Sequence, residues 1–142
     1  MRILGLDYGD KKIGVAVCDE LGMTAQGLAV IERKSRKRDL EAIDYYVRTY
    51  GVEKIVMGYP LRLDGTPGIQ CEKVDRFIRS MEAVLPVPVI RWDETLTTKD
   101  AEEILKTAHV RAKKRKAVID KIAAGMILQR YLDSHVKVGE TP

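Results

Sequence analysis

Cysteine and histidine are scarce in this sequence. Among its 142 residues the only cysteines are Cys18 and Cys71, and there are two histidines. The cysteines lie far apart with no C-x-x-C spacing, which argues against both a zinc site and a disulfide scaffold. We therefore expect two structural free thiols in a reducing compartment.

Long apolar segments are absent as well. No stretch approaches the roughly 18 apolar residues that span a membrane, and the first apolar run, interrupted by Asp7, is too short for a signal peptide. With 45% hydrophobic and 32% charged residues, the composition is ordinary for a globular protein. We expect a soluble, cytoplasmic protein with no membrane partner, folded as one domain over residues 1–142.

The net charge of +4 is modest, but the basic residues are clustered. The runs Arg33–Arg38 and Arg111–Lys116 each have five basic positions in six. Such clusters attract phosphate backbones with strong salt dependence. Either run alone is equally consistent with a solvated loop.

The apolar pattern predicts an α/β protein. Strands are predicted at Arg2–Tyr8, Ile13–Cys18, Gln26–Glu32, Glu53–Gly58 and Val87–Trp92. Helical spacing predicts a helix through Leu40 and Tyr50 capped by Gly51, one around Val74–Met81, one opened by Thr97, and a last helix from Ala117 to Asp133. The second basic run is predicted to separate the last two helices.

This order predicts the arrangement of the sheet. A short glycine-containing turn joins the first two strands, which favours an antiparallel start, and the later strand–helix–strand crossovers favour parallel pairing. The result is a mixed five-stranded sheet, with three antiparallel and then two parallel strands, flanked by helices on both faces. That is the RNase H-like arrangement, although the element order alone also fits other α/β folds.

Asp7 is the first unusual acid. The apolar run of Ile3, Leu4 and Leu6 ends on a carboxylate, which is costly to bury unless it is paired, protonated or bound to a cation. The alternative is an ordinary turn residue at the end of a strand. Gly9 and Gly14 nearby indicate a backbone that approaches another group closely.

Two further positions carry acids near predicted structure. Asp120 shares a helix face with Ala123, Ala124 and Ile127, so it points toward packed structure; alternatively, it is a first-turn acid that complements the helix dipole. The pair Asp93 and Glu94 follows the last strand, and because adjacent residues alternate in direction, only one of them is expected to reach Asp7. Spacing does not decide which one.

Together these acids predict a metal site. Oxygen ligands without histidine or cysteine favour Mg²⁺ or Mn²⁺, and two such ions about 4 Å apart can activate water against a phosphodiester. The candidate substrate-binding residues are the basic ones, Lys12, Arg62, Arg111, Lys113, Lys114, Arg115 and Lys116.

The chain resembles the YqgF (RuvX) family of nucleases from about Arg2 to Leu132. The motifs that carry the resemblance are Gly5-Leu6-Asp7-Tyr8-Gly9 with Lys12-Ile13-Gly14-Val15-Ala16, Gly58-Tyr59-Pro60-Leu61 with Asp64-Gly65-Thr66, Asp93-Glu94-Thr95-Leu96-Thr97-Thr98, and Lys114-Arg115-Lys116 with Asp120-Lys121-Ile122-Ala123-Ala124 and Ile127-Leu128-Gln129. The resemblance implies an RNase H-like fold and catalytic, metal-binding acids at Asp7, Glu94 and Asp120. It also implies a task in maturing the 5′ end of pre-16S rRNA during ribosome biogenesis.

Two positions depart from the family pattern. Thr95 stands where the family usually has Arg, and Tyr59 stands where it usually has Leu. The first departure bears on phosphate contacts at the acidic motif, whereas the second is expected to alter packing more than chemistry.

Other functions fit some of the same residues. Cleavage of branched DNA, as in a Holliday junction resolvase, would use the same acids, and a two-fold junction would require a homodimer where RNA cleavage would allow a monomer. A non-catalytic RNA-binding module would need only the basic runs. The opening motif also resembles the phosphate-binding hairpin of sugar kinases and actin-like ATPases, but those hold nucleotide between two duplicated lobes and this chain has no repeat.

Overall fold

In a computed structural model, the described part of the chain forms a five-stranded sheet with helices packed on both faces. The structure describes residues 2–59, 68–93 and 112–136, and in the last segment the side chains of residues 119 and 121–135. None of the helices in these ranges is both long enough and apolar enough to cross a membrane.

The strands follow the predicted order. They are β1 (Arg2–Tyr8), β2 (Lys12–Cys18), β3 (Ala25–Glu32), β4 (Val52–Tyr59) and β5 (Val89–Asp93), arranged as β3-β2-β1-β4-β5. β2 is antiparallel to β1 and β3, while β4 is parallel to β1 and β5 is parallel to β4. The predicted mixed sheet is thereby confirmed, with β1 at its centre.

The helices in the described ranges are α1 (Arg36–Tyr50), α2 (Ile69–Val84) and α3 (Ala112–Val136). Gly51 ends α1 in the left-handed conformation, φ 62° and ψ 44°, and its N–H donates to Val47 O, as the sequence predicts. The helix predicted to open at Thr97 lies outside the described residues.

The predicted start of the last helix is wrong. α3 begins at Ala112, so the basic residues 113–116 form its first turns and do not precede it. Lysine and arginine are good helix formers, and no proline or glycine interrupts residues 112–124. Asp120 therefore lies two turns inside the helix, which excludes its interpretation as a first-turn acid.

The boundaries of β5 also differ from the prediction. This strand starts at Val89, two residues later than predicted. Pro88 does not donate to the sheet, and its carbonyl accepts from Ile55 N at 2.9 Å. Proline is tolerated at the entry of a strand for this reason.

The sheet separates two core layers. Leu4 and Leu6 pack with α1 and α2 on one face, and Ile3 packs with α3 on the other. Both cysteines are buried and neither forms a disulfide, and Cys18 Sγ accepts from Ile3 N at 3.1 Å. The alternation along β1 therefore fixes which helix each side chain faces.

Candidate active site

Asp7 lies near the carboxyl end of the central strand and faces α3. Its exposed fraction is 8%, and it pairs with Gly14 of β2. Ile3 packs with α3, so Gly5 and Asp7, at steps of two along the strand, share that face. Asp7 is thus part of the ladder, and its interpretation as an ordinary turn residue is wrong.

Glycines flank Asp7 on both neighbouring strands. Gly14 is its partner on β2. On β4, Leu6 pairs with Met57, so the next position in register beside Asp7 is Gly58. Neither position carries a side chain next to the carboxylate on the α3 face.

α3 crosses this face in close contact with β1. A Cβ added at Gly5 would lie 2.8 Å from Leu128 Cβ and 3.2 Å from Ala124 O. Farther along the helix, Lys54 Nζ donates to Tyr131 Oη at 3.3 Å, and Lys54 pairs with Ile3 near the start of β1. The helix therefore runs antiparallel to β1, and its amino end is directed toward the end of β1 that carries Asp7.

This direction decides where Asp120 lies in the fold. It precedes Ala124 by four residues, one turn that covers about 6 Å along the helix. Gly5 and Asp7 are two residues apart, about 6.6 Å along the strand. The backbone thus brings position 120 to the level of Asp7, on the helix face that Ala124 presents to β1.

β5 fixes the direction of Asp93, one of the two acids that the sequence left undecided. Trp92 faces α3, with its ring centroid 5.5 Å from that of Tyr131 in an edge-to-face arrangement. Arg91 faces α2, where its Nε donates to Asp75 Oδ1 at 2.7 Å. Alternation assigns Asp93 to the α2 face, away from Asp7. Glu94, the acid predicted to bind metal, lies outside the described residues.

The predicted substrate-binding residues are only partly described. Lys12 opens β2 two residues before Gly14, on the face and at the sheet end that carry Asp7. Residues Lys113–Lys116 lie in the first turns of α3, and Arg62 and Arg111 are outside the described residues. Among the described side chains, which include neither Glu94 nor that of Asp120, no three metal-binding groups come together.

A second charged group at this end of the sheet was missed by the sequence analysis. Arg33 Nε donates to Asp39 Oδ2 at 3.1 Å, and Nη1 donates to Tyr8 Oη at 2.6 Å and to Gly9 O at 3.2 Å. Burial alone would lower the pKa of Arg33, but the hydrogen bonds to Asp39 and Tyr8 raise it overall. The guanidinium therefore stays charged while it joins β1, β3 and α1.

The signal for this group is present in the sequence. Asp39 precedes Ile43 and Val47 by four and eight residues, and all three are buried on one face of α1. Asp39 therefore carries the same helical-spacing signal as Asp120.

Tyr59, one of the departures from the family pattern, does more than alter packing. Its hydroxyl donates to Asp75 Oδ2 at 2.9 Å, so it ties β4 to α2. Burial and the neighbouring Asp75 raise the pKa of Tyr59 to about 12. Burial would raise the pKa of Asp75, but the hydrogen bonds from Arg91 and Tyr59 lower it overall.

Solved structures of two resolvases share this architecture. A complex of Fowlpox virus resolvase with substrate Holliday junction DNA matches with a TM-score of 0.61 at 16% identity, over 96% of this chain and 100% of that one. T. thermophilus RuvC with a Holliday junction substrate matches with a TM-score of 0.58 at 14% identity, over 96% and 97%. The fold is the RNase H-like fold of these resolvases.

Sequence comparison gives the family. The model of the family described as "RuvX: Holliday junction resolvase" matches residues 1–134, and the chain belongs to this family. A Syntrophus aciditrophicus protein named "Putative pre-16S rRNA nuclease" is 66% identical over 94% of this chain and 89% of its own length. A Halothermothrix orenii protein of the same name is 51% identical over 97% and 99%.

Proposed function

We propose that the protein is a metal-dependent nuclease that hydrolyses phosphodiester bonds and matures the 5′ end of pre-16S rRNA. The observation that carries this proposal is the buried Asp7, which lies between glycine positions and faces the helix that carries Asp120. The names of the relatives support the RNA substrate.

In this proposal Asp7, Glu94 and Asp120 hold Mg²⁺ or Mn²⁺. The donor set fits, because carboxylate oxygens are the ligands these ions prefer and a buried carboxylate gains from a nearby cation. Once bound, such ions activate a water and stabilise the attacking and leaving oxygens. Alternation along β5 supports Glu94 over Asp93, since an extended chain would bring residue 94 back to the α3 face.

The basic residues bind and orient the nucleic acid. Lys12 lies on the Asp7 face of β2, and Lys113, Lys114, Arg115 and Lys116 lie in the amino-terminal turns of α3, beyond the level of Asp7. Arg62 and Arg111 are proposed to extend this surface. Positive charges at this end of the sheet would hold the nucleic-acid backbone near the carboxylates.

Carboxylate substitutions test the proposal. Asp7→Asn, Glu94→Gln and Asp120→Asn should each reduce Mn²⁺- or Mg²⁺-dependent cleavage of a pre-16S rRNA 5′ fragment by at least about 100-fold, with RNA affinity nearly unchanged. The measurement is single-turnover cleavage alongside equilibrium binding.

Two other acids, one at the end of β5 and one on α3, serve as matched controls. Asp93→Asn changes the residue next to Glu94 on the other face of the sheet, and Asp133→Asn changes an exposed acid of α3; both should cleave like the wild type. A wild-type protein that binds RNA but cuts it with neither metal would instead indicate a non-catalytic binding module.

Branched DNA is the second candidate substrate, because the family is described as Holliday junction resolvases. A two-fold symmetric junction would need two copies of the site, and so a homodimer. Paired nicks in a four-way junction, with RNA left intact, would reject the ribosomal assignment while leaving the proposed role of Asp7 in place.

A further inference from the structure

A positively charged pocket opens at the same end of the sheet, on the face opposite Asp7. It encloses about 200 Å³ between α1, α2 and the end of β1. Its lining consists of four basic and two aromatic residues, Tyr8, Arg33, Arg36, Lys73, Arg76 and Phe77. Arg33 and Arg36 belong to the basic run Arg33–Arg38, whereas Lys73 and Arg76 were not predicted to bind substrate.

The charge of this pocket is only partly neutralised. Arg33 pairs with Asp39 at 3.1 Å, and Lys73 Nζ lies 3.2 Å from Asp10 Oδ1. Within the described part of the chain, Arg36 and Arg76 form no ion pair, and no acid lines the pocket. Four cations line the pocket and only two of them are paired with acids, so the local potential attracts anions.

Arg33 gives the pocket a fixed donor. Its Nε and Nη1 atoms are held by Asp39, Tyr8 and Gly9, and its guanidinium lies 4.6 Å from the centroid of the Tyr8 ring. No acceptor among the described residues bonds to Nη2, so two of the five N–H donors remain available. A guanidinium held in this way loses little entropy when it binds an oxyanion.

The position of the pocket next to Asp7 indicates which anion it binds. Tyr8 lines it and directly follows Asp7, which faces α3, so consecutive residues of β1 connect the two sites across the sheet. A nucleic-acid strand that passes over the carboxyl end of β1 can contact both. A phosphate has the tetrahedral oxygens and the charge that this group of cations binds.

We propose that this pocket binds a backbone phosphate of the nucleic-acid substrate, away from the bond that is cut. The inference rests on the proposed function for the identity of the ligand. It extends the binding surface to the α1–α2 face, where the Arg33–Arg38 run begins.

The test removes the two exposed cations that have no acidic partner. Arg36→Gln/Arg76→Gln is made in the Asp7→Asn background, so that binding is measured without cleavage, and the probe is a labelled single-stranded pre-16S rRNA 5′ fragment. The control, Arg48→Gln/Arg79→Gln, removes one exposed arginine from each of the same helices outside the pocket. Of these two, Arg48 pairs with Asp44. Thermal unfolding should show both doubles folded, since all four side chains are exposed.

The pocket variant should bind at least about tenfold more weakly than the control, and the slope of log K against log salt should fall by about 0.7 for each lost phosphate contact. Equal affinities and slopes for the two doubles would overturn the proposal. So would binding of inorganic phosphate to the pocket, seen as shifts of the Arg33 amide in an NMR titration, combined with unchanged RNA affinity.

These results are independent of catalysis. Weakened binding by the pocket variant would uphold the pocket even if the wild-type protein showed no metal-dependent cleavage. Conversely, cleavage that depends on Asp7 with equal binding by both doubles would reject the pocket alone. In a cleaving protein with Asp7 intact, the pocket variant should raise KM with little change in kcat.

Discussion

Two carboxylates are buried in the described core, in different settings. Asp39 is 2% exposed and lies against the Arg33 guanidinium, so its charge is neutralised within the fold. Asp7 is 8% exposed, with glycine opposite it on β2. Asp39 thus serves structure, whereas Asp7 faces α3 and is the acid around which the metal site is proposed.

The hydroxyl of Tyr59 gives a pH-dependent prediction. Its pKa of about 12 lies above the value near 10 of an unfolded tyrosine. Its contribution to the free energy of unfolding is therefore present below pH 10 and lost as the pH rises toward 12. Tyr59→Phe should lower the free energy of unfolding by about 1 kcal/mol at pH 7, and the difference from wild type should shrink above pH 10 in denaturant titrations.

The control for this substitution is Tyr45→Phe, since Tyr45 is 62% exposed. It should change the free energy of unfolding by less than about 0.5 kcal/mol. A Tyr59→Phe variant as stable as the wild type at pH 7 would mean that the hydrogen bond to Asp75 adds nothing to stability.

Asp75 gives a second pH-dependent prediction, at low pH. Because its folded-state pKa lies below the ordinary 3.8, its contribution is present above about pH 4 and lost as the pH falls through that lowered value. Asp75→Asn should therefore have a lower free energy of unfolding than the wild type at pH 7. In strong acid the two free energies should converge. A difference in unfolding free energy that stays constant down to pH 2 would contradict this account.

At the scale of elements, the contact between α3 and β1 depends on a missing side chain. Gly5→Ala would place Cβ 2.8 Å from Leu128 Cβ, so the helix must move away from the strand. We expect a loss of about 1–3 kcal/mol in the free energy of unfolding. Cleavage should fall more than RNA binding, because Asp120 moves with the helix.

The control, Gly125→Ala, adds the same methyl group on α3, the helix that packs against β1. A Cβ at Gly125 would lie 3.7 Å from Gly27 N, an ordinary contact, and alanine favours the helix by up to about 1 kcal/mol over glycine. Gly125→Ala should thus stabilise the protein in the same chemical denaturation experiment. Equal effects of the two substitutions would show that the close approach at Gly5 is unimportant.

Periodicity predicted these elements where one signal dominated. An apolar run with period-2 character marked β1, a second β-rich run marked β2, and Gly51 marked the end of α1. The start of α3 was wrong because the basic residues 113–116 were interpreted by their charge as a connection, although their helix propensity is high. Asp7 could be singled out because it ends an apolar run, and Asp120 because of its helical spacing. Whether the two acids meet depends on strand register and helix placement, which local sequence does not contain.

At the scale of the whole molecule, one end of the sheet carries different groups on its two faces. The α3 face holds Asp7 and the proposed positions of its metal-binding partners. The α1–α2 face holds the fixed Arg33 and the basic pocket. Helical spacing marks Asp39 as a buried acid, but its ion pair with Arg33 depends on how β3 and α1 are placed in the fold. The proposed site therefore arises from topology, because β1 at the centre of the sheet touches both layers.

The most direct measurement of the central claim is a crystal structure with Mn²⁺, whose anomalous scattering locates the metal. We expect Mn²⁺ beside β1, coordinated by carboxylate oxygens of Asp7, Glu94 and Asp120 at about 2.0–2.6 Å, and we expect this metal to be absent in Asp7→Asn crystals. Mn²⁺ bound elsewhere, or bound at β1 equally well after Asp7→Asn, would contradict the three-acid site.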